Sequence, residues 1–144
     1  MIWFSMTYSA WDKDAPYDDV NVIDIPFPEK KYIKLLKLCK LKDDSDLSDE
    51  QISMILVNAV YSWLKGTWSL DDLASIGNKF WFGRKKEQEF DELGDALYAA
   101  DEAGYYIRRI YVPGNKDKID SFSRWIITIM KYYEKYRSMV IKEK

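Results

Sequence analysis

From Phe122 onward the apolar residues fall at Phe122, Ile126, Ile129, Tyr133, Tyr136 and Val140, spacings of 4, 3, 4, 3 and 4. That rhythm lays one seam along an α-helix, so it predicts a helix over about 117–142. Pro113-Gly114 breaks the chain just before it. Upstream, Ile52–Leu64 is apolar almost all round, the mark of a buried central helix. Ser48 and Gln51 form a capping-box pair at its start, so the helix should cover about 49–65 and end at Gly66.

Three further helices follow from similar signals. Tyr32, Leu35, Leu36 and Cys39 share one face of a helix over about 29–41, with Lys30, Lys34 and Lys37 turned outward and Pro28 at its entrance. Ser69 caps another, with Asp71 and Asp72 in the first turn and Gly83 as its stop. A long helix is expected over about 86–112, acids first and Arg108-Arg109 last, the polarity a helix dipole favours. Residues 1–28 show no helical period. Ile2, Phe4, Met6 and Tyr8 alternate with polar or aromatic neighbours, which predicts a short hairpin or an extended arm. The expected fold is a single all-α domain over residues 1–144, a bundle of about five helices.

Composition narrows the class. With 144 residues the chain is long enough to bury one core without a metal or disulfide. Cys39 is the sole cysteine, so no internal disulfide forms and a reducing, cytoplasmic setting is expected. The N-terminus lacks the basic region of a secretory signal, and no apolar run approaches membrane-spanning length. The net charge of −2 divides into −4 over residues 1–50 and +2 over the remainder. Neither part carries the basic excess of a nucleic-acid binder.

Candidate chemistry rests on carboxylates, because histidine is absent. That removes the commonest general base and metal ligand and every Ser-His or Cys-His pair. Cys39 lies on an apolar stripe with no activating base. No catalytic residue, resident metal or cofactor is therefore expected. The stretch EQEFDELGDALYAADE over 87–102 holds seven acids and no base. At about 100° per residue, Asp91, Asp95, Tyr98, Glu102, Tyr106 and Arg109 form a stripe away from the main apolar face of Leu93, Leu97, Gly104 and Tyr111. The expectation is an anionic docking strip on this helix, anchored by Tyr98, Tyr105 and Tyr106. Asp101 falls near the core edge and needs a partner, Arg124 or a tyrosine hydroxyl.

Two resemblances bear on function. A helix–turn–helix with WLKGTWSLDDLASIGNKFWFGR is followed by the acidic FDELGDALYAADEA, a break, and KIDSFSRWIITIMKYYEKY. This order over about 63–136 resembles small immunity proteins of the colicin D type, all-helical inhibitors that block a tRNA-cleaving toxin. The resemblance implies a cognate nuclease toxin as partner, with Asp91, Glu92, Asp95 and Glu102 as contact groups and Asp71 and Asp72 as outliers. The long N-terminal region departs from it.

The second resemblance is to all-α nucleotide pyrophosphohydrolases of the MazG type. Glu92-Leu93-Gly94-Asp95 followed by Leu97-Tyr98 matches their second carboxylate motif. It implies Mg²⁺ held jointly with an upstream acidic motif. Here the upstream candidate is Asp71-Asp72-Leu73-Ala74-Ser75, which lacks a third acid, so this reading ranks behind the inhibitor.

Overall fold

A computed structural model describes residues 26–107 and 116–142. The hairpin or arm expected over 1–28 lies almost wholly outside them. The described chain forms five α-helices and no strand: α1 Glu29–Leu38, α2 Asp49–Leu64, α3 Leu70–Gly83, α4 Glu92–Ile107 and α5 Lys116–Tyr136, with a 3₁₀ turn at Arg137–Met139. The all-α expectation holds.

Helix α2 is the central rod. Ile52, Ile55, Leu56, Val57, Ala59 and Val60 are sealed from solvent, and α1, α3, α4 and α5 all pack on it. Truncating Ile52, Ile55 or Leu56 to alanine costs about 2–5 kcal/mol. The expected Ser48–Gln51 capping box is present, and the expected Ser69 cap forms a second box with Asp72. Ser48 accepts from the Gln51 amide while Gln51 accepts from Ser48; Ser69 and Asp72 pair in the same way.

Two helix boundaries that differ from the sequence expectation have a local cause. Helix α1 stops at Leu38 rather than Leu41, because Lys40 takes a left-handed φ of 59°. The Leu41 amide then donates back to the Leu36 carbonyl, closing a Schellman-type end without glycine. Helix α4 starts at Glu92, six residues later than expected. Residues 86–91 turn instead, with Gln88 at φ 57° and its amide donating to the Trp81 carbonyl. Helix α5 ends at Tyr136, and the 3₁₀ turn at Arg137–Met139 that follows packs against α2.

Helices α3 and α4 lie unusually close. A Cβ placed on Gly77 would stand 2.6 Å from the Leu97 carbonyl oxygen and 2.8 Å from the Asp101 nitrogen, and one on Gly104 would collide with Ala74. Helix α4 is thus pressed between α3 and α5, the two pairs with the most extensive contact in the fold. Among the described residues no helix is long and apolar enough to cross a membrane.

Candidate functional site

The start of α4, where the carboxylates concentrate, is organised by a buried cation. Arg84 follows α3, and its side chain is wholly shielded from solvent. Its Nη2 donates to Asp91 Oδ2 at 2.6 Å, and Asp49 Oδ1 lies 3.8 Å from its Nε. Burial alone would disfavour the charge. The hydrogen bond and charge of Asp91, with Asp49 and Glu89 beyond, outweigh that and hold Arg84 protonated. Asp91 Oδ1 accepts from the Gly94 amide at 2.7 Å, and the Asp91 carbonyl accepts from the Asp95 amide. Asp91 is therefore the N-cap of α4, not a member of its outer stripe. The Arg84 bond, aided by the Gly94 amide against the opposing effect of burial, holds its carboxyl below the usual range.

The turn ahead of Asp91 pushes Phe90 into solvent, where it is 62% exposed. Its inner face still meets other rings. Phe90 lies 4.8 Å from Trp81 and 5.2 Å from Tyr98, Tyr98 lies 5.1 Å from Trp81, and Trp125 of α5 closes the row 5.4 Å from Tyr98. Trp81 is buried and Phe82 is exposed. An aromatic row thus runs from the core to the surface at this corner. Glu87, Glu89 and Asp95 are exposed beside it in sequence and form no ion pair with a described residue.

The remaining acids of the expected strip are engaged within the chain. Glu92 accepts from Lys135 Nζ at 2.7 Å and from the Tyr136 hydroxyl. The Lys135 bond, then that of Tyr136, lowers its pKa. Asp95 borders a hollow of about 230 Å³ between α4 and α5, shared with Glu92, Lys131 and Lys135. Lysines of α5 therefore interleave with the α4 acids, which corrects the picture of an unaccompanied anionic strip. Glu102 and Tyr98 are half-buried and engaged with other groups. Asp101 is buried, with Asn78 Nδ2 3.4 Å from both its oxygens. The side chains of Tyr105 and Tyr106 lie outside the described residues.

Asp71 and Asp72 sit at the opposite end of the α3–α4 pair. Asp72 caps α3 through the Ser69 amide and pairs with Lys31 Nζ at 2.7 Å. Asp71 lies at the level of Gly104, 3.8 Å from where its Cβ would stand, and is itself partnered. Gly104 is twelve residues beyond Glu92, about 18 Å along the helix at 1.5 Å per residue. The two carboxylate pairs that a pyrophosphohydrolase centre would join are thus kept apart. Among the described residues no three His, Cys, Asp or Glu side chains stand together as a metal-ligand group. Gly94 of the matching motif has a structural reason of its own, since a Cβ there would collide with the Glu89 carbonyl.

Sequence reasoning missed Arg84 and Phe90. Arg84 stands in the Arg84-Lys85-Lys86 run, which reads as solvated, and only the fold shows that its first member turns inward. Asp91 carried a usable signal, an Asp three residues before a helical amide, but the acids on either side concealed it.

Compared with known protein families, curated proteins and solved structures, the chain matches none.

Proposed function

We propose that this protein is a non-catalytic binding protein, an inhibitor of the immunity type that engages a basic nuclease toxin through the corner where α3 meets α4. The observation that carries the reading is Phe90: a large ring 62% exposed and backed by the Trp81–Tyr98–Trp125 row. A rigid aromatic with a packed base and an open face is the side chain that anchors interfaces. Glu87 and Glu89 beside it in sequence, and Asp95 one turn into α4, are exposed. They supply negative charge that a cationic cleft prefers, and such charge speeds association in a salt-dependent way. The contact group thereby moves from the middle of α4 to its N-terminal end. The toxin class itself rests on the immunity-protein resemblance.

The test uses the full chain as bait from cells of its source, followed by assay of the captured protein for RNA or DNA cleavage. The proposal expects a nuclease whose activity falls to zero at one equivalent of added protein. Phe90→Ala combined with Asp95→Lys is expected to weaken inhibition by roughly tenfold to a hundredfold, the effect of losing an interface anchor. Undiminished inhibition by that variant rejects the corner as the contact. A captured partner without nuclease activity rejects the toxin assignment.

The pyrophosphohydrolase reading has no observation in its favour beyond the motif, given the separation of Asp71 and Asp72 from Glu92 and Asp95. Calorimetry with Mg²⁺ or Mn²⁺ that showed saturable binding lost in Asp95→Asn would restore it.

A further inference from the structure

A second surface lies on elements that the α4 corner does not use. Helix α1, the end of α2, the turn at 66–68 and the chain after α5 enclose a hollow of about 280 Å³. Its rim carries Lys31, Lys34 and Lys65, and no carboxylate lines it. That is unusual in a chain with 24 acids against 22 bases. Lys31 shares its charge with Asp72. Lys65 lies over the Tyr61 ring, 4.9 Å from its centroid. Lys34 is exposed and meets no acid among the described residues.

The floor is built rather than incidental. Leu35 and Trp68 are buried beneath the lysines, and Leu38 and Ile141 add apolar wall. Asn58, only 1% exposed, fixes the far side by donating to the Met139 carbonyl and accepting from the Ile141 amide. Charge at the mouth and hydrocarbon below suit an anion on an organic body. The lining has lysines and no arginine. Lysine ammonium groups bind phosphate as point charges. A phosphate monoester carries about two negative charges near neutral pH, so it gains more from two such groups than a singly charged carboxylate does.

We infer that this hollow binds a small soluble phosphate monoester, its phosphate between Lys34 and Lys65 and its organic part against Trp68, Leu35 and Ile141. The inference is independent of the inhibitor reading, since none of its residues belongs to α3 or α4.

Calorimetry and amide NMR on the full chain test it, with phenyl phosphate as the probe. Saturable binding is expected, with shifts confined to the amides of Lys31–Leu38, Ser62–Trp68 and Ile141. Lys34→Gln with Lys65→Gln should weaken it at least about tenfold, the loss of charge-assisted hydrogen bonds. Lys37→Gln removes the same charge from α1 outside the hollow and should leave affinity unchanged. Inorganic phosphate should bind more weakly, for want of the apolar contact. Absence of saturation at millimolar phenyl phosphate overturns the site, as does equal weakening by Lys37→Gln. Equal affinity for benzoate overturns the phosphate assignment. Binding to phosphatidic acid vesicles without binding to phenyl phosphate overturns a soluble ligand.

Discussion

Arg84 and Asp91 meet at 2.6 Å across the turn between α3 and α4, with the guanidinium sealed and the carboxylate one-third open to solvent. The pair is therefore asymmetric. Without Arg84, Asp91 can hydrate; without Asp91, a buried cation loses its one hydrogen-bonded partner. Arg84 Nε and Nη1 already lack hydrogen-bond partners among the described residues. Asp91→Ala is expected to destabilise the fold by about 3–5 kcal/mol, the cost of orphaning a buried charge together with a helix cap. Arg84→Met should cost distinctly less. Urea unfolding of the two variants measures the difference, and a larger loss in Arg84→Met would contradict the asymmetry.

The same contact sets a pH dependence. Arg84 holds the Asp91 carboxyl below its ordinary value, so the folded state binds this proton less readily than the unfolded state does. Its stabilisation is complete above the ordinary aspartate value of about 3.9 and is lost as pH falls from there through the lower folded value. Wild-type stability should decline on acidification through that window. In Asp91→Asn the decline should be shallower, from a lower starting stability. Equal slopes in urea titrations between pH 5 and 2, a span that brackets roughly these values, would remove Asp91 from the account.

Gly77 supports a further prediction, because α3 and α4 cross where it leaves room. Its missing Cβ would press on the Leu97 carbonyl and the Asp101 nitrogen, backbone atoms that yield only if the helices separate. Gly77→Ala gains helix propensity yet should still lower stability, by about 1–3 kcal/mol, the range for overpacking. Gly83 has open space around its Cβ position, so Gly83→Ala is the control and should be close to neutral. Thermal unfolding of both variants would decide it.

These relationships show what was legible in the sequence. The five helices could be read because periodicity and caps are local: the 4-3-4-3-4 seam of α5 and the Ser48–Gln51 and Ser69–Asp72 boxes each need only a few neighbouring residues. The start of α4 could not, because it depends on Arg84 turning inward across a bend. The acidic strip was visible as composition, but the pairing of its Glu92 with Lys135 spans 43 positions. Separation in sequence likewise hides the lysine-rimmed hollow. Lys31, Lys34 and Lys65 form no run, and the fold alone gathers them.

Cys39 follows its sequence reading and yields a kinetic prediction. It is 5% exposed, and burial pushes its thiol pKa up to about 11. At pH 8 the thiolate is then roughly a thousandth of the population. Iodoacetamide should label the native protein far more slowly than a free cysteine peptide, and at the peptide rate in denaturing urea. Rapid labelling of the native state would mean that the end of α1 opens readily, against the packing of Leu35 and Leu36 beside it.

Asn58 makes the most localised prediction. It lies in the middle of α2, yet its side chain reaches past the end of α5. Nδ2 donates to Met54 O at 2.8 Å and to Met139 O at 3.1 Å, while Oδ1 accepts from the Ile141 amide at 2.8 Å. The amide thus ties the segment after α5 to the middle of α2. Leucine is close to it in volume but offers no hydrogen bond. Asn58→Leu should cost about 1–3 kcal/mol, the scale of losing partners for buried polar groups. The loss should be confined to the tail, since the α2 core contacts are apolar and stay in place. Hydrogen exchange at Ile141 should therefore accelerate much more than at Val57 or Val60. Equal acceleration at all three would mean that Asn58 supports the whole core, and unchanged exchange at Ile141 would mean that the tail is held by Val140 and Ile141 packing instead.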